Sequence, residues 1–155
     1  MRVTDRGLVR FVRRMQDLPG QHLFQYLDDS GCACPVGSGE VNAWLREVMG
    51  EDFTAKHFRT WRASVLGFSA LASARERVSL KALLETVSEH LGNTPAIARK
   101  SYVHPAVLGL VERQEEWRQG LRLPRATRWL SRQERGLIAL LEDCPAAADL
   151  VAAAG

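Results

Sequence analysis

The 155-residue sequence predicts a mainly α-helical fold with one small β-hairpin. Three observations predict it. Apolar residues recur three and four apart in most segments, as in Leu80, Leu83, Leu84, Val87 and Leu91. Helix starts and stops punctuate these runs, with Ser38, Thr54, Ser79, Thr94 and Ser131 as N-caps and Gly50 and Gly92 as terminators. Alternation of apolar and polar residues is confined to one stretch, 23–36, around a turn signal.

In chain order, residues 7–16 place Leu8, Val9, Phe11, Val12 and Met15 on one side of a helix and Arg10, Arg13 and Arg14 on the other. Asp17-Leu18-Pro19-Gly20 ends it. Residues 23–27 read as a short strand, Asp28-Asp29-Ser30-Gly31 as a turn and residues 32–36 as the return strand, with Pro35 confining it to an edge. A helix follows over 39–49, with Val41, Trp44, Leu45 and Val48 as its apolar stripe. The next runs over about 55–72 and turns Phe58, Trp61, Val65 and Leu66 inward. A polar connector at 73–78 leads to the helix over 80–91. Thr94 and Pro95 then open a short helix ending near Tyr102. Pro105 starts another helix reaching about Gln119, with Val107, Leu108, Leu110 and Val111 inward. Residues 120–128 form a basic linker, and Trp129 is expected to seat the last helix, 131–142, opened by the capping box Ser131/Glu134. Residues 1–143 are therefore expected to form one helical core, and residues 144–155 an Ala-rich tail.

Apolar residues are 46% of the chain, enough for a real core. The net charge of +3 is unremarkable, but its distribution is not. Arg2, Arg6, Arg10, Arg13 and Arg14 crowd residues 1–14, and Arg118, Arg122, Arg125, Arg128, Arg132 and Arg135 crowd 117–135. Basic charge gathered in segments suits a phosphate backbone, although solvated helix faces would give the same pattern. No stretch is apolar and long enough to span a bilayer, and the N-terminus lacks the apolar run of a secretory signal. Cys32, Cys34 and Cys144 are not spaced as zinc ligands and read as free thiols, and the four histidines are scattered.

Residues 91–107 concentrate the chemistry. A helix stop at Gly92, a turn at Asn93 and a new helix start at Thr94-Pro95 deliver Tyr102 beside Arg99 and Lys100. Metal-free cleavage of a phosphodiester needs a nucleophile, donors for the non-bridging oxygens and a proton for the leaving sugar oxygen. A free phenol has a pKa near ~10, so ionising it at pH 7 costs on the order of 4 kcal/mol unless cations stand by. Arg59 lies one turn into a helix, near its positive end, and its guanidinium can hold two oxygens at once. The Asn93 amide can donate to a phosphate oxygen. Each also has a plain structural reading: Tyr102 as a half-buried helix-end tyrosine, Arg59 as an exposed helix arginine and Asn93 as a C-cap residue. His104 reads either as a DNA contact or as a local cap.

Taken together, LVRFVRRMQDLPGQHLFQYLDDSG (8–31), VGSGEVNAWLREVMGEDFTAKHFRTW (36–61) and LGNTPAIARKSYVHPAVL (91–108) resemble the catalytic domain of bacterial and poxvirus-type IB DNA topoisomerases. WLSRQERGLIALL (129–141) is similar to the tail of the bacterial members. The resemblance implies the multi-helical catalytic fold that these enzymes share with tyrosine recombinases. It implies that Tyr102 forms a 3′-phosphotyrosyl link to DNA, that Arg59 contacts the scissile phosphate and that Asn93 donates to a phosphate oxygen. Lys56, Arg99 and Lys100 would hold flanking phosphates. The implied partner is double-stranded DNA, bound by a monomer without ATP, metal or other cofactor, in the bacterial cytoplasm at the nucleoid.

The family also uses a second arginine and a lysine general acid, both upstream of the segment resembling 8–31. This chain starts at Met1 just before that segment, so both are expected to be missing, along with the N-terminal DNA-clamping domain. Loss of a general acid typically costs 10²–10⁴-fold in rate, about 3–5 kcal/mol. A weak or inactive enzyme is one expectation. His57, where many members have Asp, reads as surface variation. The alternatives are a recombinase-like strand transferase and a non-catalytic DNA-binding remnant. Recombinases usually show H-x-x-R and LGH, where this chain has Lys56-x-x-Arg59 and Asn93.

Overall fold

The computed structural model describes residues 5–18, 20–50 and 53–145. It is mainly helical, with one two-stranded sheet, and divides into two compact units, Met1–Ala55 and Lys56–Gly155. Most of the Ala-rich tail, and the Pro19 of the predicted break, lie outside the described residues.

The first unit holds α1 (Arg6–Gln16), β1 (Gln25–Leu27), β2 (Ala33–Pro35) and α2 (Ser38–Met49). The Asp5 carboxylate accepts the Leu8 N–H at 2.7 Å and caps α1, while Arg13 and Arg14 sit at its negative end. The strands pair antiparallel with Tyr26 opposite Cys34. Asp28 Oδ1 closes the turn by accepting from the Ser30 and Cys32 N–H groups at 2.9 and 2.8 Å, and Gly31 supplies the positive φ. The alternation in β1 runs opposite to the apolar expectation. Gln25 is the buried residue, its amide donating to the Leu18 carbonyl, while Tyr26 and Leu27 are exposed. The helical stripes are likewise open: no residue of α1 is buried, and of the α2 stripe only Leu45 is, with Trp44 59% exposed.

α3 (Ala55–Ser73) begins at the boundary and runs through the second unit, followed by α4 (Leu80–Leu91), α5 (Pro95–Ser101), α6 (Pro105–Gly109), α7 (Gln114–Gly120) and α8 (Arg132–Glu142). The core lies here. Phe68 and Leu71 of α3 pack with Leu83, Leu84 and Val87 of α4, Ala98 of α5, Val107 of α6 and Leu137 of α8. Each large side chain so buried contributes about 1.5–3 kcal/mol. Phe68 meets Trp117 edge-to-face, centroids 5.2 Å apart. α8 closes over Phe68 because residue 136 is glycine: a Cβ there would lie 2.9 Å from Phe68 Cζ and 2.6 Å from Leu123 Cδ2. Phe58, expected inward, is 48% exposed on the first turns of α3, ahead of that helix's buried stretch at 63–71.

The single helix expected over 105–119 is two. The chain leaves helical geometry after Gly109 and resumes at Gln114. The break frees the Gln114 side chain to work in the core. Its amide donates to the Val111 and Val78 carbonyls, and its oxygen accepts the Val78 N–H at 2.7 Å. Arg118 adds bonds to the Ala74 and Glu76 carbonyls. The polar connector between α3 and α4 is thereby pinned to α7. At the other end of α4, Gly92 turns left-handed (φ 66°) and the Gly92 and Asn93 N–H groups both reach the Ser88 carbonyl.

Candidate active site

α4 stops at Gly92 and α5 starts at once, because Thr94 accepts the Ile97 N–H and Pro95 fills the first helical position. α5 is two turns long and ends with Tyr102 as its C-cap. Tyr102 is half-buried against the core cluster, and its N–H closes on the Ala98 carbonyl at 3.1 Å.

Arg59 comes to the same place from the start of α3. Its guanidinium carbon sits 5.1 Å from the centroid of the Tyr102 ring, and Nη2 donates to the Leu91 carbonyl at 3.1 Å. That carbonyl is one of the orphan acceptors at the end of α4, so the cation rests at the negative end of a helix and over the face of a π-system. Residues 43 apart in sequence (102 − 59) thus meet side chain to side chain.

Asn93 lies two residues beyond Leu91. Its side-chain Oδ1 and Nδ2 are buried and have no hydrogen-bond partner among the described residues. A buried amide left unpaired costs about 1–3 kcal/mol. Lys56 stands one turn before Arg59 on α3, and Arg99 and Lys100 lie in the last turn of α5; all three are exposed. Among the described residues, no ion pair or hydrogen bond ties them to Arg59 or Tyr102.

Ser64 is a residue that motif spacing does not single out. It is 2% exposed on α3. Its hydroxyl accepts the His104 N–H at 3.0 Å and lies 2.8 Å from the Thr60 carbonyl and 3.5 Å from that of Tyr102. One hydroxyl therefore fastens the turn carrying Tyr102 to the helix carrying Arg59. The available signal was a serine inside the buried run Ala63–Val65, since a buried hydroxyl must find partners.

The cap expected of His104 is formed. Its Nδ1 accepts the Ala106 N–H at 3.2 Å at the start of α6. Burial pushes its pKa below the ordinary 6.5, favouring the neutral ring. A folded value below the unfolded one means that the unfolded chain binds the extra proton first. Stability is then complete above pH ~6.5 and declines as pH falls through that value. Urea midpoints measured from pH 8 to 5.5 should fall in the lower half of the range, and His104→Asn, which keeps a capping side chain, should flatten that fall.

Arg118, Arg122, Arg132 and Arg135 all donate to backbone carbonyls between residues 74 and 125, so these cations of the basic 117–135 segment also hold chain to chain. Glu134 completes its capping box with Ser131 and accepts from Trp61 Nε1 at 3.5 Å, joining α8 to α3; the bonds from Ser131 hold its carboxyl below the usual range. Among the described residues there is no group of three or more His, Cys, Asp or Glu that could hold a metal, and no helix long and apolar enough to cross a membrane.

A family model described as eukaryotic DNA topoisomerase I, catalytic core, matches residues 5–115. The chain is also 28% identical over 120 residues to DNA topoisomerase 1B of Acanthamoeba polyphaga mimivirus. That match covers 68% of this chain and 36% of the viral protein, so the chain spans about a third of the length of this relative.

Proposed function

This chain belongs to the type IB DNA topoisomerase family, and we propose that it carries the phosphotyrosyl chemistry of strand cleavage and religation on double-stranded DNA, with Tyr102 as nucleophile. The observation that carries the reading is the Arg59 guanidinium lying over the Tyr102 ring, with Asn93 two residues beyond the Leu91 whose carbonyl Arg59 bonds. A phosphate entering there would replace a resting contact with a charge-assisted one. Arg59 gives up or shares its bond to Leu91 and grips non-bridging oxygens, each such bond being worth about 1.5–3 kcal/mol. Asn93 Nδ2 supplies a further donor from a position already desolvated.

In the forward step the Tyr102 oxygen attacks phosphorus, the bond from phosphorus to the 5′ oxygen breaks, and the proton lost by the phenol is balanced by one gained at the leaving 5′ hydroxyl. The 3′-phosphotyrosyl link keeps the phosphodiester bond energy, so the reverse attack by the 5′ hydroxyl reseals the strand without ATP. Rotation between the two steps relaxes supercoils. Lys56, Arg99 and Lys100, exposed on the elements that carry Arg59 and Tyr102, suit the phosphates on either side.

Relaxation of a negatively supercoiled plasmid, with chelator present and ATP omitted, tests the whole reading: a ladder of topoisomers is expected, and unchanged plasmid at stoichiometric protein argues for a DNA-binding role alone. Asn93 gives a sharper expectation. No described protein group bonds its amide, so Asn93→Ala should leave the thermal midpoint nearly unchanged, while slowing adduct formation by about 10–100-fold. A lowered midpoint with unchanged cleavage would make Asn93 a structural turn residue.

A further inference from the structure

We propose that the loop 121–131 is a stacking platform for single-stranded DNA, built around Trp129. It shares no residue with the Tyr102 centre and lies beyond the segment matched by the family model, which ends at residue 115. Trp129, expected to seat α8, instead projects from the molecule at 79% exposure. The Arg128 guanidinium lies 4.6 Å from its ring centroid, and the high exposure leaves indole surface open beyond that contact.

The display is built rather than incidental. Thr127 accepts the N–H groups of Trp129 and Leu130 on its hydroxyl, and its own N–H returns to the Leu130 carbonyl at 2.8 Å. Arg132 and Arg135 of α8 hold the loop's carbonyls at Leu123, Pro124 and Arg125. The ring is therefore presented by an anchored turn, which lowers the ordering cost of binding.

The surroundings select the partner. From Gly120 to Gln133 there is no acidic residue, and Arg122, Arg125, Arg128 and Arg132 are exposed. Between residues 98 and 145, Trp129 is the one exposed large apolar side chain among the described residues. A membrane or an apolar protein surface would need a contiguous patch. A single aromatic ring with cations around it fits a nucleic-acid strand, where a base stacks on the indole and arginines meet the phosphates. Bases paired inside a duplex cannot reach the ring, so the strand is single. The choice of DNA over RNA rests on the function proposed above.

The test is fluorescence anisotropy of a labelled oligo-dT of about ten nucleotides titrated with the full chain, with oligo-rU and a duplex of equal length as parallel probes. Trp129→Ala should weaken oligo-dT binding about tenfold, Trp129→Phe should keep it within about threefold, and duplex binding should change by less than about twofold. At 79% exposure the ring supports no core, so the alanine variant is expected to fold. Equal oligo-dT affinity in wild type and Trp129→Ala overturns the proposal. So does an equal loss on duplex, a preference for oligo-rU, or a protein dimer that disappears in the variant. The readout is binding rather than covalent chemistry, so it stands or falls apart from Tyr102.

Discussion

Tyr102→Phe is expected to abolish every covalent adduct between the chain and DNA while leaving duplex affinity within about twofold and the unfolding midpoint nearly unchanged. The substitution removes one oxygen and keeps the ring. The ring supplies the packing against the core cluster and the face on which Arg59 rests. Without that oxygen the proposed site has no nucleophile, because phenylalanine cannot form a phosphoester. The residual expected is zero adduct, in contrast to a partial loss from a supporting group. The other tyrosine, Tyr26, lies in the first unit on β1, 48% exposed, and Tyr26→Phe should cleave as wild type does. An adduct that survives Tyr102→Phe assigns the chemistry elsewhere.

Arg59→Ala carries the second large effect. Adduct formation should slow by about 10²–10³-fold, the usual consequence of losing one donor to a phosphorane-like or oxyanion charge. DNA affinity should fall far less, because the guanidinium is expected to act most strongly as charge shifts on the non-bridging oxygens. Stability should fall by about 1 kcal/mol, since the same side chain caps α4 through Leu91 and lies over Tyr102. Arg59→Lys should not restore the rate: a point charge lacks the planar fork that holds two oxygens while covering a ring. Equal losses in binding and cleavage would reduce Arg59 to a backbone contact.

Much of this was legible in the residues. Caps with a mechanism were read to within a residue or two: Ser79, Thr94-Pro95 and the Ser131/Glu134 box all open the helices expected of them. What failed was side-chain destination. Periodicity says which residues share a face, but not whether anything covers that face. The apolar stripe of α2 is largely open, and Phe58, expected inward, is exposed. Trp129 is expected to seat α8, whereas Thr127 and Arg128 shape a loop that displays it. The break after Gly109 is invisible in the local pattern because the bonds it permits are long-range: Gln114 bonds a connector 36 residues upstream. Sequence could likewise suggest Tyr102, Arg59 and Asn93 only separately or by family likeness. The meeting of Arg59 with Tyr102 through the end of α4, and the Ser64 hydroxyl that joins their two elements, are tertiary facts.

The most direct measurement is to trap the chain on a nicked or suicide duplex with detergent, digest with nuclease and trypsin, and locate the nucleotide by mass spectrometry. The peptide spanning residues 101–113, which holds Tyr102, should carry a phosphonucleotide linked through its 3′ phosphate. An unmodified 101–113 peptide, with the nucleotide found on another residue or on none, would contradict the account.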